Sequence, residues 1–513
     1  MNKPKYTHDH VLFLLFTLNS LFYIWFYRFL PLQDYPDWLF QGLLFSKALK
    51  GQLMEGYRLI GYPVANSLST VFIGLFALLF NIEISGKILL SAYALVFIAG
   101  SFYMLNSLAG RDNHPFHYAA FLFLFNCFFF AGNINYVIGL GILFFGMGYI
   151  LRNAQTPEKI GVIPVLLASV LLFYSHAVIF MVYLFFAGLF ALSTARKNVI
   201  LKVLAGLLPS IALFGIFAVN HLRMAKAAAP VPLNLNFLSI SGIAGNISCL
   251  SVFQYFYPVM DANTKYINIL NILNLAFCLV FAVVLFYGFL KILLKFREHA
   301  SLAVSTAVLS LFAFFNPGYF AGIVRPGERL IFPAVWIILA FLAARPGYLG
   351  AKSGNIVRYA AIFAVLAQAF FLYYFGGMAS NQMAGMNAAL EQSGVKGDYT
   401  LAPESHFNYE NTFRTDFKKP KFLGRISPLI RLPYYLNINN YAYTSVFPTG
   451  IFISVKEYAA ANSITDIQNN AASYRDNVII AGHRAGNNFI AGKLSKRYKI
   501  VIDEKYFMLL KKK

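Results

Sequence analysis

Apolar residues run almost uninterrupted along several stretches of this chain, near 11–30, 84–106, 116–131, 136–151, 160–175, 177–194, 199–219, 266–291, 300–316, 329–344 and 356–376. Most approach the roughly 20 residues with which an α-helix crosses a hydrocarbon layer about 30 Å thick, and a few fall short of it. One further stretch, Val64 to Phe80, differs in kind. It opens on the polar segment VANSLST, so only Val71 to Phe80 is continuously apolar. That length is too short to span and suits a helix lying in the interface or re-entering the membrane.

The polar connections decide how these runs are threaded. Lys3 and Lys5 precede the first run, and Arg111 follows the second. Arg152 with Lys159, then Arg196, Lys197 and Lys202, then Lys291, Lys295 and Arg297, and finally Arg345 with Lys352 mark later connections. Every second connection is basic, which places this set in the cytoplasm by the positive-inside rule. An even number of crossings must then separate Lys5 from Arg111, and the runs at 11–30 and 84–106 already make two. Val64–Phe80 is therefore expected not to cross. The expected protein is a polytopic α-helical membrane protein of about eleven transmembrane helices, with its amino terminus cytoplasmic. Interfacial helices near 37–50 and 64–80 lie in its first outer loop. Residues 1–376 make up the membrane domain, and 377–513 a soluble, extracytoplasmic α/β domain. The latter begins with a helical lead-in over 378–394 and contains the strand-like stretches NVIIAG (477–482), KIVID (499–503) and YFMLL (506–510), with a helical segment at 486–497.

Composition agrees and narrows the classes. The chain is 59% hydrophobic and only 12% charged, where soluble domains carry about 25%. The net charge of +22 belongs to cytoplasmic loops and anionic lipid headgroups rather than to nucleic acid, because no basic run is interleaved with aromatics in a polar domain. Cys127, Cys249 and Cys278 have neither metal-ligand spacing nor the count of a disulfide framework. No small-residue cleavage site follows the first run, which reads as a retained helix.

Candidate chemistry gathers on the non-basic connections. PLQDYPDWLFQ (31–41) places Asp34 and Asp37 where the first helix leaves the membrane. Ionisable groups at that depth are costly and point to function. Helix capping is the alternative, and it explains Asp37 better than Asp34. PGYFAGIVRPGE (317–328) carries Arg325 and Glu328, with Arg329 next, and arginine suits bidentate phosphate recognition. Headgroup anchoring, or pairing with Glu328, is the bland reading of both arginines. Lys265 and Arg223 bound another such loop, where snorkelling at helix ends is the simpler account. His176 lies between two runs in LLFYSHAVIF, and Asn133 and Asn135 flank a short turn. His406 clusters with Glu404, Glu410 and Arg414 in APESHFNYENTFR, as a substrate lid or a polar loop.

PLQDYPDWLFQGLLFSKAL resembles the first outer loop of multispanning glycosyltransferases with the GT-C fold, many bacterial members of which carry P-L-x-D-Y-P-x-H there. GNINYVIGLGILFFGMG (132–148) is similar to the next outer turn and helix of those proteins, and RDNVIIAG with YKIVIDEKYFMLLKK to the end of their terminal domain. This chain departs at Trp38, where many relatives have His. The resemblance covers the layout of most of the chain but only short stretches of residues. It implies an inverting transfer of a sugar from a polyprenyl-phosphate donor to a glycan, lipid or protein acceptor, at the outer face of a bacterial inner membrane. Asp34, with Asp37 second, is then the base or the acceptor-orienting carboxylate, and Arg325 and Arg329 hold the lipid phosphate. His176, Asn133, Asn135, Glu328, Lys265 and His406 are candidate substrate contacts. Some relatives place metal-binding acids where Asn133 and Asn135 stand, and asparagine alone is a poor metal ligand. A metal-independent reaction is preferred, with a divalent metal left open. A transporter or lipid-linked glycan flippase, an O-antigen ligase or polymerase, and a purely structural membrane subunit are the alternatives.

Overall fold

The computed structural model describes residues 7–225 apart from 54–56, 60–62 and 110–114, and residues 248–393 apart from 254, 257–263, 296–299, 316–318, 321–322, 325–326 and 346–349. Beyond these it describes 399–403, 425–426, 452–454 and most of 477–513. The apolar runs fold into helices. In chain order these are α1 (Thr7–Phe26), α2 (Tyr35–Leu49), α3 (Leu68–Phe76), α4 (Ile82–Ala109), the short α5 (Tyr118–Leu122) and α6 (Cys127–Phe130), and α7 (Ile134–Arg152). There follow α8 (Val162–Ser175), α9 (Ala177–Thr194), α10 (Lys197–Ala225), α11 (Thr264–Leu294), α12 (Ala300–Phe315), α13 (Glu328–Ala343) and α14 (Gly350–Gln392). Among the described residues, seven helices are long and apolar enough to cross a membrane by length and composition. The chain is a helical membrane protein on that ground. The predicted interfacial stretches are α2 and α3, both short and separate from the long helices.

Glycines let α4 and α7 pack closely. A Cβ on Gly100 of α4 would lie 2.4 Å from the carbonyl oxygen of Gly141 on α7, and one on Gly148 would lie 3.0 Å from Met104 Cα. Small residues let backbones approach where lipid gives no hydrophobic drive to pack helices. Beside this seam the Trp336 ring stacks on Phe144 with centroids 4.8 Å apart, so α13 closes over α7.

Contacts at the helix ends sort into two sets. At one end Asp9, in the first turn of α1, accepts from Tyr118 Oη at 2.7 Å and pairs with Arg358 near the start of α14. His117 meets Asn106 at the close of α4. At the other end the beginnings of α7, α9 and α13 meet, as described below. The end of α4 therefore lies beside the start of α1.

One predicted run is not a continuous helix. The stretch 116–131 forms a 3-10 turn (Pro115–His117), then α5, a break, and α6. Asn126 causes the break: its Oδ1 accepts from the amides of Phe128 and Phe129 and caps α6. Three carbonyls freed there each find a side chain. Gln368 Nε2 donates to Leu122 O at 2.9 Å, Asn126 Nδ2 to Phe123 O at 2.8 Å, and Tyr93 Oη to Leu124 O. Irregular backbone at membrane depth persists where protein satisfies it in this way.

The terminal region holds a sheet ordered β5 (Tyr399–Pro403), β8 (Asn477–Ala481), β10 (Phe507–Lys512), β9 (Tyr498–Asp503). β5 and β8 run parallel, and the other pairs antiparallel. Residues 488, 490–492 and 494 are helical, and Ile490, Ala491 and Leu494 cover the face made by Val478, Ile480, Met508 and Leu510. The other face, with Ile479, Phe507 and Leu509, belongs to the main buried cluster. Two further pairings tie the terminal region to the helix connections: β1 (Tyr57–Leu59) with β7 (Phe452–Ser454), and β2 (Tyr255–Phe256) with β6 (Arg425–Ile426). A short hairpin of β3 (Tyr319–Phe320) and β4 (Ile323–Val324) precedes α13. The boundary expected at 376/377 falls inside α14, which runs through it as one helix of 43 residues.

Candidate functional site

The site is built around the start of α7. The chain leaving α1 lies against the turn before that helix: Gln33 N donates to Phe130 O at 2.8 Å and Asp34 N to Ala131 O at 3.2 Å. Gly132, at φ +78°, makes the approach possible, since a Cβ there would sit 2.5 Å from Asp34 N. Trp38 locks the contact from α2, with its Nε1 donating to Gly132 O at 2.9 Å. Trp38 thus holds the turn.

Asp34 occupies the N-cap position of α2 at φ −96° and ψ 2°, yet its side chain makes no capping bond. It is half-buried. Asp37, in the first turn, is enclosed at 1% exposure and accepts from Gln41 Nε2 at 2.9 Å. The two carboxylates therefore differ: Asp34 stands at the helix mouth, while Asp37 is part of the helix packing.

One residue into α7, Asn135 is a structural hub. Its Oδ1 accepts from both the amide and the hydroxyl of Ser69, at 2.9 and 2.7 Å, and its Nδ2 donates to Asn66 O at 2.7 Å. Asn66, at φ +62°, accepts from Ala177 N in turn, through Oδ1 at 3.2 Å. These bonds draw the start of α3 and the α8–α9 corner onto α7. They also occupy the Asn135 amide, so it does not fit as a metal ligand. Asn133 is the N-cap residue of α7 and is half-buried, with no side-chain cap bond.

The next residue, Tyr136, reaches α13. Its hydroxyl donates to Arg329 O at 2.7 Å, and its ring meets His176 edge-on at 5.3 Å. His176 lies between α8 and α9 as the cap of both. Arg329 Nη1 stands 2.9 Å from His176 Nε2. Arginine only donates, so Nε2 carries the lone pair and the ring is neutral. Burial first, and the Arg329 charge second, hold the His176 imidazole well below its usual range. Val178 N lies 3.3 Å from Nδ1, but a neutral ring cannot accept at both nitrogens, and the shorter, charge-assisted contact decides. Arg329 Nε is buried with no partner. No carboxylate of the described residues is paired with this guanidinium, although Glu328 is its chain neighbour. Glu328, half-buried, lies in the first turn of α13, and its carbonyl receives the Cys249 thiol at 3.7 Å.

Of the residues singled out by sequence, Asp34, Asn133, Asn135, His176 and Arg329 gather around this one helix start, with Asp37 and Glu328 at its margins. Arg325 and His406 lie outside the described residues, and Lys265 is in α11 with its side chain outside them. Sequence reasoning missed Tyr136, Asn66, Ser69 and Gly132. Only Gly132 carried a local signal, as the glycine before a helix start. Comparison with known proteins found no matching family model and no matching curated protein.

Proposed function

We propose that this chain is an inverting glycosyltransferase of the GT-C class, moving a sugar from a polyprenyl-phosphate donor to an acceptor hydroxyl at the extracytoplasmic face of a bacterial inner membrane. The chain would cross eleven times, the broken 115–130 segment counted as one crossing, with its amino terminus cytoplasmic. What carries this reading is that Asp34 is held on the turn before α7 and Arg329 on the first turn of α7. The Asp34 backbone is bonded to the turn at Ala131, and the Arg329 carbonyl to Tyr136. A carboxylate at a helix mouth and a guanidinium with no carboxylate paired to it among the described residues thus share one helix start.

The chemistry follows from those two groups. A sugar on a lipid phosphate already has a good leaving group. The acceptor oxygen attacks the anomeric carbon as the bond to the phosphate oxygen breaks, and the electron pair leaves on the phosphate. Asp34 takes the acceptor proton. Arg329, joined by Arg325, meets the charge on the departing phosphate. Asp34 is preferred to Asp37 because the latter is enclosed and bonded to Gln41. A broken membrane helix is also what a transporter would use to bind an ion. Here the three carbonyls at the break accept from Gln368, Asn126 and Tyr93, which weighs against that use.

The test is loss of donor with purified protein in nanodiscs, across a panel of radiolabelled undecaprenyl-phosphate sugars, for wild type and Asp34→Asn. The expected result is turnover of one donor by wild type and a drop of about 100-fold or more in the variant, within the range for removing a general base. Donor binding should survive in the variant. Turnover of none of the donors sinks the reading, and undiminished turnover in Asp34→Asn removes the role given to Asp34.

A further inference from the structure

We infer that His176 is a positioning residue that aims Arg329, rather than a group that touches substrate, an inference that rests on the phosphate role proposed for Arg329. An arginine side chain has many rotamers, and a receptor for a charged group works best when already fixed. Arg329 is fixed at two points. Its carbonyl accepts from Tyr136 on α7, and its Nη1 donates to His176 at the α8–α9 corner. His176 is itself immobile. Its backbone donates to Leu172 O at 2.8 Å and accepts from Phe180 N at 3.0 Å, and the residue is 7% exposed.

The chemical nature of the partner decides its role. A carboxylate in place of His176 would orient the guanidinium and also cancel its charge. A neutral imidazole orients it without forming an ion pair, and among the described residues the Glu328 charge favours the guanidinium without being paired to it. Such an arrangement suits an anion that arrives from outside. Nε2 of His176 is taken by Arg329, and Nδ1 lies 3.3 Å from the Val178 amide, packed against backbone.

The experiment measures binding of a fluorescent undecaprenyl phosphate to the full chain in nanodiscs, for wild type, Arg329→Ala, His176→Gln and His176→Phe. Glutamine offers an acceptor oxygen near the Nε2 position, and phenylalanine offers none. Affinity should fall about tenfold or more in Arg329→Ala and in His176→Phe, the scale of one charge-assisted hydrogen bond. It should stay within about threefold of wild type in His176→Gln, since that bond is kept. If His176→Phe does not fold, His176→Ala with added imidazole replaces it, and restored binding supports the inference while unrestored binding overturns it. Wild-type affinity in His176→Phe, or equal loss in folded His176→Gln and His176→Phe, overturns the role of His176 and leaves Arg329 intact. Wild-type affinity in Arg329→Ala removes the phosphate role itself.

Discussion

Gly132 shows how one position sets the site. Its φ of +78° is open to glycine, and its missing side chain leaves room for the Asp34 backbone. An L-residue there bears roughly 1–2 kcal/mol for the left-handed conformation alone. It would also drive a Cβ to within 2.5 Å of Asp34 N, a backbone atom that cannot swing aside. Gly132→Ala should therefore lower the thermal unfolding midpoint and reduce donor turnover together, through displacement of Asp34. An unchanged midpoint and rate would mean that the two segments do not depend on this contact. Trp38 belongs to the same arrangement, because its indole holds the carbonyl of the same glycine.

At the scale of elements, the two short helices are joined by glycines as the long ones are. A Cβ on Gly42 of α2 would stand 2.4 Å from Ile73 Cγ2, and one on Gly74 of α3 would stand 3.0 Å from Gly42 O. Ile73 is fully buried and β-branched, so it has little freedom to yield. Gly42→Ala should destabilise the protein by about 1–3 kcal/mol, the usual scale of overpacking. Gly385, on α14, has nothing within 4 Å of its added Cβ. Gly385→Ala should be neutral or stabilising by up to about 1 kcal/mol, as alanine is the better helix former. Thermal midpoints of the two variants in the same detergent check the contrast, and equal shifts would refute it. The break at Asn126 belongs to this scale too. A largely apolar stretch rich in phenylalanine and leucine promised one helix, but Asn126 within it, with three bonds from its side chain, satisfies the backbone of two pieces instead.

For the molecule as a whole, the first and last long helices are tied by Asp9 and Arg358, with Tyr118 as third partner. Asp9 is 5% exposed, so removing Arg358 leaves an enclosed carboxylate, whereas Arg358 is itself partly exposed. Asp9→Asn and Arg358→Gln should each lower the thermal midpoint, and the double variant should lose less than the two single losses combined, with a coupling of about 0.5–3 kcal/mol. Strict additivity would show that the pair contributes nothing as a pair. The same scale includes the terminal region, whose strands pair with residues 57–59 and 255–256 and so join it to two helix connections.

What the sequence determined by itself was local. Most long apolar runs specify helices, because membrane or core burial and backbone hydrogen bonding are satisfied within each run. The places of α2, α3 and the long helices, and the strands at 477–481, 498–503 and 507–512, were legible on that basis. Asp34, His176 and Arg329 stood out because polar groups are rare in such surroundings. Only the tertiary structure decided which of them meet. His176 and Arg329 are 153 residues apart in the chain, and Asp9 and Arg358 are 349 apart. No periodicity connects such positions. Helix packing brings them together, and the glycines that permit close packing look the same in sequence whether they face a neighbouring helix or open space.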